Sequence, residues 1–227
     1  MAVQTTIYHD LLKESENTAV TLVAVSKTKP IEDIQELYAL GHRDFGENYV
    51  QEIQEKYPVL PNDIRWHFIG HVQSNKVKYI APYVFMIHGV DSFKLLQEIN
   101  KQAVRNNRVI LCLLQIHIAE EETKFGLNEE ELFELLYNFN NGDLKNVMIC
   151  GLMAMASFTD DFSIVRREFK SVKVMFDKAK EMYFKSIDDF SSISMGMSND
   201  YKIAIEEGST IIRIGSKLFG SRSVVNC

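Results

Sequence analysis

Short runs of apolar, mostly β-branched residues recur along the chain: VTLVAVS (20–26), RWHFIG (65–70), YVFMIHGV (83–90), RVILCLLQIHI (108–118), NVMICGLMAM (146–155), SSISMGM (191–197) and STIIRIG (209–215). A short HRDFG (42–46) makes another. These runs are apolar on both parities. A strand with one wet face alternates apolar and polar side chains, whereas a parallel strand covered on both faces does not. The pattern therefore predicts eight buried parallel strands.

Helical patterns fill the intervals. Pro30 suits the first turn of a helix over 31–40, and Asp91 or Ser92 can cap one over 93–107. Asn128 can cap 129–139, whose acidic first turn suits the helix dipole. From Ser163 to Phe184, Val165, Phe169, Val172, Phe176, Ala179 and Tyr183 form a stripe. It suits packing on a sheet, with a short coiled-coil seam as the alternative. Eight strands alternating with helices, with no linker or repeat, predict a single (β/α)8 TIM barrel over residues 1–227 rather than an open doubly wound sheet. Neither GxGxxG nor GxxxxGK[ST] is present to support a nucleotide site on such a sheet.

Net charge is −6, which argues against general affinity for nucleic acid or anionic membranes. The N-terminal stretch lacks the basic and apolar regions of a secretory signal. The longest apolar run, Val109–Ile118, is about half of a membrane span. Cys112, Cys150 and Cys227 have no CxxC spacing, which suits a reducing compartment, with Cys112 and Cys150 as small core residues. The expected location is the cytoplasm.

In a barrel of this kind the active site lies where strands end and loops begin. The first strand ends in Ser26-Lys27-Thr28-Lys29, the second in Gly46-Glu47-Asn48, the seventh in MGMSND (195–200) and the eighth in RIGSKLFG (213–220). Ser198 and Ser216 each follow a glycine-containing strand end and precede a short helical pattern. Each is an N-cap, or together they hold an anion on free backbone N–H groups, as barrels often do after strands 7 and 8. Lys27 stands at the cavity mouth, either snorkelling to solvent or, partly desolvated, attacking a carbonyl. A lysine opposite a phosphate site describes a holder of a phosphorylated aldehyde or ketone, pyridoxal phosphate first and a sugar phosphate second. Lys29, beyond the apolar run, is expected to face solvent. Arg213, inside IIRIG, needs a buried partner: a cofactor ring nitrogen or a carboxylate from a neighbouring strand.

Six segments, LVAVSKTKP (22–30), FGENYVQE (45–52), WHFIGHVQSNK (66–76), TKFG (123–126), GLMAM (151–155) and SMGMSNDYKIAIEEGSTIIRIGSKLFG (194–220), resemble the pyridoxal phosphate homeostasis protein family, relatives of the alanine racemase N-terminal barrel. The resemblance implies a single barrel of that type with an extra N-terminal helix, which residues 5–17 can supply. It implies pyridoxal 5'-phosphate as cofactor, held as an internal aldimine on Lys27. The phosphate ligands fall on Ser198, Gly215 and Ser216, with Asn48 and Met195 near the ring and Arg213 at the pyridine nitrogen. A permanent cation there disfavours protonation of that nitrogen and weakens the ring as an electron sink. Racemases of this fold add a β domain and take a tyrosine from a partner subunit, and the residues after Phe219 supply neither. The expectation is therefore a monomeric carrier or regulator with no established catalytic residue. Its partners would be the cofactor and possible recipients among apo-forms of pyridoxal phosphate enzymes, with no nucleic acid and no membrane. A racemase-like enzyme and a Schiff-base aldolase are the alternatives.

Other constellations are weaker. His67 and His71 are four apart, but a strand running into a loop does not converge their rings on a metal. Glu47 is a general base or an ordinary helix-start carboxylate. The run Glu120–Glu122 reads as a solvated loop, Trp66 as core, and Lys124, Arg166 and Arg167 as charged contacts.

Overall fold

The structure, a computed structural model, describes residues 3–119, 125–185 and 187–220. A helix α1 (Thr5–Thr18) precedes β1 (Thr21–Val25), followed by α2 (Ile31–Ala39), β2 (Asp44–Glu47), α3 (Val50–Lys56), β3 (Arg65–Phe68), α4 (Val77–Ile80) and β4 (Met86–Val90). Then come α5 (Phe93–Arg105), β5 (Ile110–Ile116), α6 (Glu129–Asn140), β6 (Val147–Ala154), α7 (Phe162–Tyr183), β7 (Ser192–Ser194), α8 (Tyr201–Glu206), β8 (Ile211–Ile214) and α9 (Ser216–Phe219). The strands pair in parallel and in chain order, and β8 returns to β1 with Val23 opposite Arg213 and Ala24 opposite Ile214. The sheet is closed, which removes the open-sheet alternative.

Local chemistry explains the main helices. Ser92 accepts the Leu95 N–H at the start of α5, and Asn128 with Glu131 forms a reciprocal capping box on α6. The α7 stripe buries Val165, Phe169, Val172, Phe176 and Ala179 against the barrel, so it serves packing on the sheet. Helix α3 carries little sequence signal because it has only seven residues and its N-cap position is Tyr49, which provides no side-chain cap.

Two apolar layers result. The larger lies between sheet and helices and includes Leu22, Phe45, Trp66, Phe68, Ile87 and Cys112. A smaller one, inside the barrel, contains Val23, Met86, Leu113, Cys150, Met153 and Ile211. Burial pushes the Cys150 thiol up to about 11 and Cys112 higher still, so both act as inert apolar filling. Gly151 lets β7 approach β6: its φ is +151° and a Cβ there would lie 1.7 Å from the Ser192 carbonyl oxygen. Cys227 lies outside the described residues.

Candidate functional site

A cavity of about 840 Å³ opens at the C-terminal ends of the strands. Lys27, Asn48, Ser198, Arg213, Gly215 and Ser216 all line it, brought together from the loops after β1, β2 and β7 and from β8 with the residues that follow it. Met195 does not line it. Ser194, the residue before it on β7, turns inward to Arg213 and His88, so alternation along the extended chain sends Met195 outward, fully buried in the layer between sheet and helices. Met155 and Met197 line the cavity instead.

The turn carrying Lys27 is tightly built. Lys29 N–H donates to the Ser26 carbonyl at 3.0 Å, which throws Thr28 into the left-handed region at φ +62°. A β-branched residue there is strained by ~1–3 kcal/mol and needs support from its surroundings. Glu52 on α3 accepts the Thr28 N–H at 2.7 Å. Behind it, the Lys56 ammonium donates to the Ser26 carbonyl at 2.9 Å, to Glu47 Oε1 at 2.8 Å and to Glu52 Oε2 at 3.0 Å. The Ser26 hydroxyl donates to Glu47 Oε1 at 2.6 Å. Glu47 is thus no cavity base but one half of a buried ion pair. Burial raises its carboxyl above the ordinary range, and Lys56 opposes that without cancelling it.

Lys29 is not the solvent-facing neighbour the sequence suggested. It is half-buried, lines the same cavity and donates to the carbonyls of Phe219 at 2.9 Å and Gly220 at 3.4 Å. Such a bond to the end of α9 is favoured by its dipole.

Arg213 is buried at the cavity floor. Its Nη1 donates to the Ser194 carbonyl at 2.8 Å and to Ser194 Oγ at 2.6 Å, and Nη2 to the Ala154 carbonyl at 3.0 Å. Burial pulls the guanidinium down to about 10, opposed by the charge of Asp200, so it remains a cation at neutral pH. Across the cavity, Ser198 sits in a turn closed by the Met197 N–H donating to Asp200 Oδ1. Gly215 and Ser216 open α9, whose first N–H groups have no intrahelical acceptor. Asn48 Oδ1 is buried and has no hydrogen-bond partner among the described residues.

One wall went unread in the sequence. Residues 155–160, after β6, line the cavity, held by buried Glu168, which accepts from the Ser157 N–H at 2.8 Å and its hydroxyl at 2.6 Å. The GLMAM run points to the strand, but the loop beyond it carries no lysine or glycine, and its Asp161 reads as the cap of α7 rather than as a cavity wall.

His67 and His71 diverge: His67 reaches inward to Asp44 and His88, whereas His71 stacks on Phe125 at 4.1 Å and bonds Asp91. Arg166 pairs with Glu206 and Glu207 on the surface. Lys124 and the run 120–122 lie outside the described residues.

The profile of the alanine racemase N-terminal domain matches residues 6–223. A pyridoxal phosphate homeostasis protein of Aquifex aeolicus is 42% identical over 209 residues, 91% of this chain and 89% of that protein. Its namesake from Vibrio alginolyticus is 39% identical over 211 residues, 90% of this chain and 87% of that protein. Among solved structures, PipY of Synechococcus elongatus with pyridoxal phosphate bound is 32% identical, with a TM-score of 0.84 over 94% of this chain and all of that one. Alanine racemase from Bartonella henselae, at 14% identity and a TM-score of 0.70, shares the fold over 97% of this chain and 60% of its own.

Proposed function

This chain belongs to the pyridoxal phosphate homeostasis protein family, on the alanine racemase N-terminal barrel, and from that premise we propose that it binds pyridoxal 5'-phosphate as a cytoplasmic, monomeric carrier rather than a catalyst. The observation that carries the reading is convergence: six residues from four parts of the sequence line one cavity, with a buried acceptor, Asn48 Oδ1, that has no donor among the described residues. That acceptor, the lysine at the mouth and the cation at the floor fit an aldehyde-bearing, hydroxylated aromatic phosphate.

Lys27 would anchor the cofactor covalently, its amine kept near the mouth by the Glu52 and Lys56 brace. Ser198, Gly215 and Ser216 would hold the phosphate through hydroxyl and N–H donors. Arg213 would face the ring nitrogen as a cation and keep a proton off it. When bound, pyridoxal phosphate offers a carbonyl to an amine and an electron-withdrawing ring. With its nitrogen unprotonated, the ring is a poor electron sink, which favours holding over turnover. The family name of the relatives supports the same role. Among the described residues, no helix is long and apolar enough to cross a membrane.

The test is reduction of the cofactor-loaded protein with borohydride, followed by peptide mass mapping. The added mass is expected on Lys27 and to vanish in Lys27→Ala. Stoichiometric label on Lys29 or elsewhere would refute the assignment. Carrier and racemase separate by solvent deuterium exchange at Cα of amino acids, which the carrier reading requires to be absent over many cofactor equivalents. Sedimentation of the loaded protein checks the monomer.

A further inference from the structure

Half of the barrel interior is apolar, but a line of polar side chains crosses the other half from one mouth to the other. Arg213 at the cavity floor donates to Ser194 Oγ at 2.6 Å, and Ser194 Oγ lies 3.0 Å from His88 Nδ1. His88 Nε2 lies 2.9 Å from His67 Nδ1, and His67 Nε2 lies 3.0 Å from Asp44 Oδ1. Asp44 is also gripped by Arg65, through Nε at 2.7 Å and through Nη2. Ser194 and His88 are fully buried, and His67 is 1% exposed. Asp44, Arg65 and His67 line a second cavity, about 490 Å³, among the first residues of the strands at the opposite mouth.

With both imidazoles neutral, the two ends fix everything between them. A guanidinium only donates and a carboxylate only accepts. Ser194 Oγ accepts from Arg213 and, with both imidazoles neutral, gives its hydrogen to His88 Nδ1. His88 must then carry its proton on Nε2 and donate to His67 Nδ1, and His67 must donate from Nε2 to Asp44. With both imidazoles neutral, only this assignment satisfies all four bonds; a charged His67 would reverse the His67–His88 and His88–Ser194 bonds. The donors run head to tail from cation to anion, an order in which each bond polarises the next. The charges around it agree. Burial first, then the charge of Arg213, hold the His88 ring well below its ordinary range. Burial would raise Asp44, but hydrogen bonds from Arg65 and His67 outweigh it and hold the carboxyl well below its usual range.

We propose that Ser194, His88, His67 and Asp44 form a positioning relay that locks Arg213 in one orientation toward the cofactor and couples that cavity to the far mouth of the barrel. None of the four lines the cavity that holds Lys27 and Arg213. The proposal rests on the pyridoxal phosphate reading above and adds how the ring-facing cation is held. A serine hydroxyl free to rotate would not hold Arg213 in place. With His88 committed as its acceptor, the hydroxyl can only receive from Arg213.

The unloaded, 15N-histidine-labelled protein gives the first test. Nuclear magnetic resonance should find His67 and His88 neutral at pH 7, both with the proton on Nε2. A proton on Nδ1 of either ring, or a charged ring, overturns the relay whether or not the cofactor binds. The second test adds pyridoxal phosphate. The His67 signals should move on loading, although His67 does not line that cavity. The Kd should rise about tenfold in His88→Leu and Asp44→Asn, the worth of one hydrogen bond to a charged group. His88→Gln, which keeps an acceptor and a donor, should stay within about threefold of wild type, a rescue that a mere packing role would not produce. If the wild type loads but the His67 signals stay still and the variants bind equally well, the relay is overturned and the cofactor reading stands. If the wild type fails to load, both fall.

Discussion

Replacing Lys56 with methionine should expose what the brace behind Lys27 contributes. In the native protein the ammonium makes three bonds and its side chain is 8% exposed, against 0% for Glu47. Methionine fills much of the volume but leaves Glu47 buried with one donor, the Ser26 hydroxyl. Removing one partner of a buried pair costs ~3–5 kcal/mol, because the other charge stays uncompensated. Glu47 can escape by taking a proton, so the loss must depend on pH. Burial already places its carboxyl above the ordinary range, and without Lys56 it rises further. A carboxyl raised in the folded state binds its proton more tightly there than in the unfolded chain. Stability therefore falls as pH climbs from the unfolded value, about 4.3, through the folded one. The deficit of Lys56→Met should be largest at pH 7.5 and shrink toward pH 5.

Urea unfolding of the cofactor-free protein at both pH values measures this directly. Glu47→Gln added to Lys56→Met should restore about 2 kcal/mol or more at pH 7.5, since a neutral amide tolerates burial better than an unpaired charge. A deficit under about 1 kcal/mol, an equal deficit at both pH values, or no recovery in the double variant would each sink the argument. The same change should weaken cofactor binding, because Glu52 loses the cation that steadies it under the strained Thr28 turn.

Three further outcomes follow from the geometry. Gly70→Ala would place a Cβ 2.5 Å from the Asn48 carbonyl oxygen and 2.9 Å from its Cα, so Asn48 must move; titration with pyridoxal phosphate should show weaker binding alongside a ~1–3 kcal/mol loss of stability in urea. Asp44, whose carboxyl is depressed, adds stability above about pH 3.9 that is lost as pH falls through the folded value; Asp44→Asn should flatten the acid limb of a Tm-against-pH curve, and parallel curves would contradict this. Arg166→Ala should change stability by less than about 1 kcal/mol in urea, because its pairs with Glu206 and Glu207 are exposed.

What could be read from residues alone followed how local each signal is. Strand positions were legible because burial on both faces removes the alternation that a half-wet strand would show, and Asn128 announced α6 by its own cap. Helix α3 had no cap to announce it. Lys27, Ser198 and Ser216 were legible because strand ends are chemically marked: a lysine after an apolar run, a serine after glycine. Lys56, Glu168 and the Ser194–His88–His67–Asp44 line carried no such mark. Each acts through a partner between 9 and 106 positions away, as in Lys56–Glu47 and His88–Ser194, and only closure of the barrel shows which partner it is. His71 is four residues from His67 in sequence, but the real neighbours of His67, Asp44 and His88, lie on the strands to either side, β2 and β4. Lys29 misled for the same reason, since its acceptors lie 190 residues downstream.

That last contact bears on how the site comes into being. The Lys27 turn is suspended between the two ends of the barrel: Glu52 and Lys56 hold it from the second βα unit, and Lys29 ties it to the carbonyls closing α9. The β1–β8 ladder beside it sets Arg213 opposite Val23 and brings Gly215 beside Val25, where an added Cβ would lie 3.4 Å from the Val25 Cβ. Lys27, Arg213, Gly215 and Ser216 thus become neighbours only when the last strand pairs with the first, the longest loop closure the fold makes. A partly folded chain, with β1 to β6 formed, would own the lysine but neither the arginine nor the serine donors. Its amine could react with free aldehyde but not retain it. Tight holding of pyridoxal phosphate and completion of the barrel are therefore one event, and ligand binding should stabilise the β1–β8 seam before any other part of the sheet.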